Sequence, residues 1–381
     1  MASLKEGIDK LAGSVSQPEG AVLPLSDFDY ILPSDRIAQR PLEQRDRSRL
    51  LVLDRDSGAV TAHAIFEQIV DYLNPGDLLV INETRVSALR LYGSLKSGGR
   101  AEFLLTGRIS EGLWHCLAKP GKRLRSGTRV VFEEGLTAEI VDVLDERGGR
   151  LVRIDAEGRS DGTDEALDRI GLTPLPPYIR SDDPNRYRER YQTIYAARPG
   201  SAAAPTAGLH FTSELFERVR ERGVDLAKVT LHVGVGTFRP IDSANVREHV
   251  MHEESGEIPA VTAEKIRTAR GRIVAVGTTT VRSLESASTG YREVVPGPFR
   301  TSLYVTPGYR FQVVDAMVTN FHMPRSTLLV LVSAFAGRSA LMAAYSEALR
   351  RGYRFLSFGD AMFIVGARSI AQTEGEFANA T

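Results

Sequence analysis

The sequence predicts an α/β fold, in which a layered α/β body with a mixed sheet carries an inserted small β-barrel domain. Two different sequence patterns along the chain support this prediction. From residue 77 to about 155, short β-like runs such as "AEFLLTG" and "RVVFEE" alternate with turn signals such as "SGGR" and "RGGR", a pattern typical of a small barrel or sandwich. After about residue 160, helical and strand-like segments alternate, and their near-continuous apolar strands indicate a sheet covered on both faces.

The predicted domain boundaries lie where one sequence pattern gives way to the other. They are a flexible N-terminal tail over 1–25, an α/β catalytic body over 26–75 and 156–381, and an inserted barrel over 76–155. The run "DLLVIN" at 77–82 is expected to be the first strand of the barrel, and "RLLVLDR" at 49–55 is expected to join the sheet of the body.

The first helix after the barrel is predicted within "SELFERVRERG". Leu215, Phe216 and Val219 share one helical face there. Thr212 is a suitable N-cap and Gly223 a suitable stop, because a threonine oxygen can accept from a first-turn N–H and glycine tolerates the left-handed conformation that ends a helix. The sequence therefore predicts a helix that begins just after Thr212.

The rest of the body is predicted as further helices and strands. "AKVTLHV", "RIVAV", "VVDAMVTNF" and "AMFIV" have the apolar character of buried strands, and "TAEKIRTARG" and "SALMAAYSEALRRG" have the character of helices. The apolar run "TLLVLVSAFA" at 327–336 is about half the roughly 20 residues that a bilayer requires, so it is expected to be a buried helix.

Composition excludes several classes of protein. With 42% hydrophobic and 25% charged residues the chain is neither disordered nor fibrous. Because 48 basic residues balance 48 acidic ones, binding of nucleic acid through the overall field is disfavoured, and any such contact needs a local patch. Three basic segments are available, each also compatible with an ordinary solvated surface: "KPGKRLR" (119–125), "RYRERY" (186–191) and "RTARGR" (267–272).

The single cysteine and the N-terminal sequence bear on the compartment. Cys116 has no second cysteine with which to form an intrachain disulfide, and "MASLKEGIDKLAGSVS" has no apolar segment of the secretory kind. We expect a cytoplasmic protein that has no membrane segment.

Three predicted strands end in loops that are rich in glycine, threonine and histidine. These ends are "TLHVGVGTF", "IVAVGTTTVRSLE" and "VTNFHMPRST". Gly234, Gly236 and Gly277 lack a Cβ, so their backbone can approach a ligand closely. Because open α/β sheets bind ligands beyond the carboxyl ends of their strands, the three ends together predict a site.

Two of the surrounding stretches allow more than one interpretation. In "GTTTVRSLE", Thr278, Thr279 and Arg282 could bind a carboxylate or phosphate at a helix N-terminus, or could belong to a capped helix with an exposed arginine. "APTAGLHFTSELF" (204–216) is compatible with a reactive site around His210, with an anion cradle, or with a tight turn before a helix. Neither a GxGxxG nor a GxxxxGK[ST] signature is present, which disfavours a Rossmann cofactor site and a P-loop.

Three further features have a possible chemical and a structural interpretation. His249 and His252 in "REHVMHEE" could share a helical face and bind a metal, but the spacing differs from HExxH and a hydrogen-bonded pair is favoured. Asp360 could orient a base, bind a ribose or cap a turn. The N-terminal part of the body has a dense set of charges, either around a polar ligand or at the surface: Asp27, Asp29, Arg36, Arg40, Arg45, Asp46, Arg47 and Arg49.

Ten blocks together resemble one family. They are "FDYILPSDRIAQRPLEQRDRSRLLVLDR", "GDLLVINETRV", "PLPPYIR", "RYQTIYA", "AAPTAGLHFT", "TLHVGVGTFRPI", "EHVMHEE", "AVGTTTVRSLES", "VTNFHMPRSTLLVLVSAFAG" and "YRFLSFGDAMFIV". In this order, over about residues 26–366, the chain resembles the S-adenosylmethionine:tRNA ribosyltransferase-isomerases of queuosine biosynthesis. Ser302 and Thr306 depart from the residues expected there, an acidic and an aromatic one, which affects local ligand contacts only.

The resemblance implies a transferase that uses S-adenosylmethionine as a ribosyl donor, with no metal. The acceptor would be 7-aminomethyl-7-deazaguanine at the wobble position of a tRNA anticodon loop, and the products would be epoxyqueuosine in the tRNA, adenine and methionine. The fold that it implies, an α/β body with a small β-barrel, agrees with the two sequence patterns described above. We expect a monomer.

The resemblance also suggests roles for individual residues. The sulfonium acidifies the ribosyl 5′ carbon, so a general base is needed, and histidine suits neutral pH. His210 is the preferred base, His232 and His322 are the alternatives, and Asp360 completes the catalytic set. The expected ligand-binding residues, with Asn320 assigned to the departing adenine, are Thr206, Gly208, Gly234, Gly236, Thr237, Thr278, Arg282 and Asn320.

Two other classes of function remain open at this point. A metal-dependent hydrolase would use the histidines between 210 and 322, and its activity would not survive chelation. A non-catalytic RNA-binding module built on the barrel would bind tRNA without releasing adenine.

Overall fold

The structure is a computed structural model that describes residues 22–145, 148–156, 162–234 and 241–366. Its strands, in chain order, are β1 (Arg49–Asp54), β2 (Ala59–Ile65), β3 (Leu78–Asn82), β4 (Thr84–Val86), β5 (Leu89–Leu95), β6 (Arg100–Ser110), β7 (Leu113–Lys119), β8 (Arg129–Val131), β9 (Thr137–Val143), β10 (Gly149–Asp155), β11 (Arg198–Ser201), β12 (Asp225–Leu231), β13 (Glu254–Ile258), β14 (Ile273–Val276), β15 (Ser288–Gly290), β16 (Glu293–Val294), β17 (Gly297–Thr301), β18 (Ala316–Asn320) and β19 (Ala361–Val365).

The helices of the described residues are of two kinds. The α-helices are α1 (Gly162–Ile170), α2 (Ser213–Glu221), α3 (Ala260–Thr268), α4 (Thr278–Ser286), α5 (Thr327–Ala336) and α6 (Arg338–Arg350). The 3₁₀ helices are Leu25–Phe28, Ser34–Arg36, Arg45–Arg47, Phe66–Tyr72, Gly121–Arg123, Glu133–Gly135, Pro184–Tyr187, Thr206–His210 and Val246–Glu248.

A nine-stranded mixed sheet, in the order β17-β13-β12-β3-β14-β18-β19-β1-β2, forms the centre of what we call the body. Its inner strands β12, β3, β14 and β18 run parallel to one another. Successive residues of β3 point to opposite faces: Leu78 and Val80 pack into the cluster that holds α3 to α6, and Leu79 and Ile81 pack against the Phe66–Tyr72 helix and α2. Because both faces are covered, apolar residues are continuous along these strands.

The second unit is a closed antiparallel barrel of six strands, in the order β10-β7-β6-β5-β8-β9, which we call the barrel. Side chains such as Phe103 and Phe132, whose rings lie 5.3 Å apart, fill its interior. Gly93 in β5 permits this packing, since a Cβ at that position would lie 2.6 Å from Val130 and 2.7 Å from Phe132. The mixed α/β body and the closed barrel confirm the predicted fold class.

One strand of the barrel prediction is corrected. The run "DLLVIN" forms β3, which pairs with β12 and β14 in the centre of the large sheet and takes no part in the barrel. A buried strand flanked by turns looks the same in sequence in either place, and only its pairing partners distinguish the two. The helix α1, on the other side of the predicted boundary, packs Ala166 and Leu167 into the barrel core. The domain division as a whole stays a prediction.

The predicted helix signals around α2 are confirmed. Thr212 is its N-cap and accepts a hydrogen bond from the Leu215 N–H at 3.1 Å, and Gly223 follows its end with φ of 80°. The apolar run at 327–336 is the buried helix α5, as expected. By contrast, the 3₁₀ helix Val246–Glu248 ends before His249, so His249 and His252 do not lie on a shared helical face.

Within the described part of the chain, no single helix is long and apolar enough to cross a membrane. The pair α5 and α6 meets the length and composition criteria only when joined across a bend of 112°.

Candidate active site

One cavity lies at the carboxyl ends of the parallel strands. Val233 follows β12, Gly277 to Thr279 follow β14, and Thr319 to Pro324 end β18, and all three strand ends line it. Its volume is about 160 Å³, and its remaining wall is formed by Tyr178, Ala203, Ala204, Pro205, Thr206, Ala207, Ser326, Leu328, Leu356 and Ser357. The strand ends that the sequence singled out therefore meet at one place.

The helix α4 points its N-terminus at this cavity. Gly277, with φ of 89°, turns the chain from β14 into the helix, and the buried residues Thr278 and Thr279 of the first turn form part of the wall. The first N–H groups of a helix have no partner within the helix and carry partial positive charge. This wall can bind an anionic group, such as a carboxylate, without a charged side chain.

His322 is the histidine that lines the cavity. Its Nε2 lies 2.8 Å from Thr319 Oγ1, and its backbone N–H donates to the Tyr345 hydroxyl at 2.9 Å. Burial lowers the pKa of His322 to about 3, so the ring is neutral at physiological pH. The Thr319 contact fixes the orientation of a neutral imidazole, and among the described residues its Nδ1 has no hydrogen-bond partner.

His210 is buried behind the wall and does not line this cavity. Its ring stacks on Phe66 at 4.8 Å, and both of its nitrogens are engaged. Asn320 Nδ2 donates to the Leu356 carbonyl at 3.1 Å and contacts His210 Nε2 at 3.2 Å, so Nε2 is the acceptor and the Nδ1–H donates to Ser48 Oγ at 2.7 Å. Burial, followed by the charges of Arg354 and Arg45, lowers the pKa of His210 to about 3.

Asn320 connects His210 to the cavity. Its amide nitrogen is held by His210 and by the Leu356 carbonyl, and its buried Oδ1 has no hydrogen-bond partner. Buried polar atoms are rarely left without a partner in native proteins. The Oδ1 is thus an oriented acceptor that suits a ligand N–H or O–H donor.

The remaining predicted catalytic residues lie outside the cavity wall. His232 contacts Thr84 Oγ1 through Nδ1 at 2.8 Å, and burial lowers its pKa. Asp360 is buried and accepts from the backbone N–H groups of Arg49 at 3.1 Å and Arg354 at 2.8 Å. Asp360 therefore ties the start of β1 to the segment before β19.

The predicted ligand-binding residues divide into three groups. Thr206, Thr278 and Asn320 line the cavity. Gly208 is buried and packs closely against Tyr195. A Cβ at this position would lie 1.9 Å from the tyrosine hydroxyl. Gly234 and Arg282 do not line the cavity. Gly236 and Thr237 fall outside the described residues.

Gly234 and Arg282 form a separate buried cluster with Glu254. The Gly234 N–H donates to Glu254 Oε1 at 2.8 Å, and Arg282 forms a buried ion pair with the other oxygen of the same carboxylate. Arg282 therefore does not reach the cavity wall, and its role there stays a prediction. Gly236 and Thr237 lie outside the described residues.

Polar residues that were not predicted from sequence include two that line the cavity and one that supports it. Tyr178 and Ser357, whose hydroxyls lie 2.7 Å apart, line the cavity, and Ser48 binds His210. All three lie inside blocks that carry the family resemblance, "PLPPYIR", "YRFLSFGDAMFIV" and "RDRSRLLVLDR". Serine and tyrosine are too common for their positions in these blocks to signal a site.

The structure also bears on the possible metal site and on the dense set of charges near the N-terminus. Among the described residues, no group of three or more His, Cys, Asp or Glu side chains could hold a metal ion. Several of the N-terminal charges pair with distant parts of the chain, such as Asp27 with Arg338, Asp29 with Arg325, and Arg47 with Glu67. These pairs hold the N-terminal segment against the body.

Comparison with known proteins places the chain among close relatives. The family described as queuosine biosynthesis protein matches residues 25–364. Proteins named S-adenosylmethionine:tRNA ribosyltransferase-isomerase are similar to it: the one from Carboxydothermus hydrogenoformans is 51% identical over 90% of this chain and 100% of its own length. The one from Gloeobacter violaceus is 51% identical over 89% of this chain and 95% of its own length.

A solved structure is similar as well. The crystal structure of the S-adenosylmethionine tRNA ribosyltransferase of Thermotoga maritima aligns with 39% identity and a TM-score of 0.50, covering 89% of this chain and 100% of that one.

Proposed function

The chain belongs to the queuosine biosynthesis family of S-adenosylmethionine:tRNA ribosyltransferase-isomerases, and we propose that it transfers and isomerises the ribosyl moiety of S-adenosylmethionine onto a tRNA. The acceptor is 7-aminomethyl-7-deazaguanine at the wobble position, and the products are epoxyqueuosine in the tRNA, adenine and methionine. The observation that carries this proposal is the meeting of three polar strand ends in one cavity, in a chain of this family.

The proposed first step removes a proton from the ribosyl 5′ carbon, which the neighbouring sulfonium makes acidic. A base for this step must offer an unprotonated atom within hydrogen-bond reach of the proton. His322 supplies an unprotonated ring nitrogen in the cavity wall, because it is a neutral imidazole there and Thr319 orients its ring through Nε2. We therefore assign the base role to His322 Nδ1.

His210, the base preferred from sequence, has a positioning role in this proposal. Its Nε2 accepts from Asn320, and that contact fixes which way the Asn320 amide faces. The unpartnered Asn320 Oδ1 is then available to accept from the adenine amino group and to orient the leaving base. His210 thus acts on the ligand through Asn320.

The methionyl end of S-adenosylmethionine carries a carboxylate, and the N-terminus of α4 suits it. The wall there consists of Thr278, Thr279 and the glycine turn at Gly277, and Thr206 faces the same cavity. Gly234 and Arg282 contribute by holding Glu254 and the end of β12 in place. Roles for Asp360, His232, Gly236 and Thr237 stay predictions.

The RNA substrate requires only a small footprint. A base of the single-stranded anticodon loop can be splayed into a cavity while arginine and lysine side chains hold the flanking phosphates. The barrel presents an exposed basic segment, Lys122, Arg123 and Arg125, which the buried Leu124 anchors. This arrangement reconciles a net charge of zero with an RNA substrate.

Incubation with S-adenosylmethionine and precursor-bearing tRNA tests the proposal. We expect release of free adenine and methionine that depends on both substrates and persists in the presence of a chelator. Loss of activity on chelation would support a metal-dependent enzyme instead. Binding of tRNA without any adenine release would support a non-catalytic RNA-binding protein.

A further inference from the structure

A second, smaller pocket lies beside the cavity and is lined by arginines. Arg45, Arg190 and Arg354 contribute guanidinium groups to it, together with Ser48 and His210. All three arginines are half-buried. The described lining of this arginine pocket contains no carboxylate.

This charge arrangement differs from that of Arg282 and Arg272 in the body. Arg282 pairs with Glu254, and Arg272 pairs with Asp77 at 2.6 Å. In the arginine pocket, by contrast, Arg45 donates to the Leu209 carbonyl at 3.2 Å, and Arg190 donates to the Leu42 carbonyl at 2.6 Å.

Among the described residues, no ion pair joins Arg45 or Arg190 to a carboxylate, and Arg354 shares the carboxylate of Asp360 with Arg49, each at 3.5 Å, so positive charge is left in this pocket. Burial and the charge of Arg190 together lower the pKa of Arg45 to about 10. An anion bound between the guanidinium groups would offset their mutual repulsion.

Hydrogen-bond donors are also left over. Arg354 makes two weak contacts, Nη1 to the Arg40 carbonyl and Nη2 to Asp360 Oδ1, both at 3.5 Å. The Nε of Arg190 is buried and has no partner. A guanidinium presents five N–H donors in a planar fork that matches the geometry of a phosphate, so these side chains retain the capacity to bind one.

The arginine pocket adjoins the cavity directly. Ser357 lines both, and His210, which lines the arginine pocket, contacts Asn320 in the cavity wall at 3.2 Å. A planar group in the cavity and an anion in the pocket would be separated by one layer of side chains. The base and the phosphate of one nucleotide have this relationship.

We propose that the arginine pocket binds a backbone phosphodiester of the tRNA next to the nucleotide whose base enters the cavity. This inference rests on the proposed function, because it takes the RNA to be the substrate. The pocket then holds the anticodon loop in register while the cavity holds the reacting base. A carboxylate of the small substrate is the other oxyanion that could reach this pocket, and the test separates the two.

The test replaces phosphates in the ligand as well as arginines in the protein. Anticodon stem-loops are made with a single neutral methylphosphonate at each loop phosphate in turn. On the wild-type protein we expect one position to weaken binding at least tenfold, since the neutral group loses its charge-assisted hydrogen bonds to the arginines. With the Arg354→Gln protein, a methylphosphonate at the same position should not weaken binding further, because the arginine that binds the phosphate charge has been removed.

Arg49→Gln is the matched control. Arg49 and Arg354 both approach Asp360 at 3.5 Å, but Arg49 lines neither the cavity nor the arginine pocket. Arg49→Gln should therefore keep the full methylphosphonate effect.

Three outcomes would overturn the proposal. They are equal methylphosphonate effects in Arg354→Gln and wild type, no sensitive loop position in the wild type, or loss of S-adenosylmethionine binding in Arg354→Gln with unchanged RNA affinity. The last would assign the pocket to a carboxylate. Adenine release by the wild-type protein decides the proposed function separately, so failure of one can be told from failure of the other.

Discussion

The barrel and the body bury their strands in different ways. In the barrel strand β5, buried residues alternate with exposed ones towards its end, because one face packs inside and the other faces solvent. In the body, every residue of β3, β14 and β18 is buried, because helices cover both faces of the sheet. The same secondary structure therefore leaves different surfaces free.

This difference determines where each unit can bind a ligand. A strand that is buried on both faces can present polar groups only at its end, and the body has its cavity there. A barrel strand presents every second side chain to solvent, and the loops between barrel strands are also exposed, so the barrel can carry charge on its outside. Lys122 and Arg123 lie in such a connection, the 3₁₀ helix Gly121–Arg123 between β7 and β8. We therefore expect the chemistry in the body and a share of the RNA contact on the barrel.

The largest effect is expected from His322→Gln in the cavity. Removal of a general base costs about 10²- to 10⁴-fold in rate, so adenine release should fall by that factor while S-adenosylmethionine binding persists. The control is His63→Gln, whose imidazole contacts Tyr353 and Glu347 away from the cavity. A greater loss in His210→Gln than in His322→Gln would return the base role to His210.

A core substitution in the barrel tests whether the two units are separable. Phe103 is fully buried there, so Phe103→Ala should lower the free energy of unfolding of the barrel by about 3–5 kcal/mol. Urea unfolding followed together with S-adenosylmethionine binding should then show the barrel unfolding first, with the cavity intact. A single transition in which binding is lost in parallel would contradict the independence of the units.

Acid is expected to destabilise the body through its buried histidines. Burial lowers the pKa of His210 and of His322 to about 3, whereas an unfolded histidine has a pKa of about 6.5. Their contribution to stability is therefore complete above about pH 6.5 and is lost as the pH falls towards 3, because only the unfolded chain binds the protons. At pH 5 the loss is roughly 2 kcal/mol per histidine.

Urea unfolding at pH 8 and pH 5 measures this loss. His210→Gln and His322→Gln should each be less sensitive to acid than the wild-type protein. An unchanged difference between the two pH values in both variants would mean that other groups carry the effect.

The smallest effect is expected from the exposed basic segment of the barrel. Replacing Lys122, Arg123 and Arg125 together by glutamine should weaken tRNA binding and reduce its salt dependence, by roughly 0.7–0.9 in the logarithmic slope for each lost phosphate contact. The control is Arg300→Gln, which removes an exposed charge of the body that pairs with Glu253 and lies outside the three basic segments. An unchanged slope in the triple variant would move the RNA contact away from this face.

Local patterns were sufficient for much of the fold. The helix α2 was predicted with its N-cap at Thr212, and α5 was predicted as a buried helix, because capping residues and apolar periodicity act within a few residues of chain. The same patterns misplaced β3, since its membership of the large sheet depends on pairing with β12 and β14, which lie far away in sequence.

The sequence by itself determined the family, the fold class and the three strand ends that line one cavity. Only the tertiary structure decided which histidine faces the cavity. His210 and His322 are both buried, but Ser48 and Asn320 occupy the ring nitrogens of His210, whereas His322 lies in the wall itself. The gathering of Arg45, Arg190 and Arg354 into one pocket was likewise invisible in the sequence. The physical reason is that long-range packing sets the direction of a side chain and its distance from other charges, and a linear pattern does not record either.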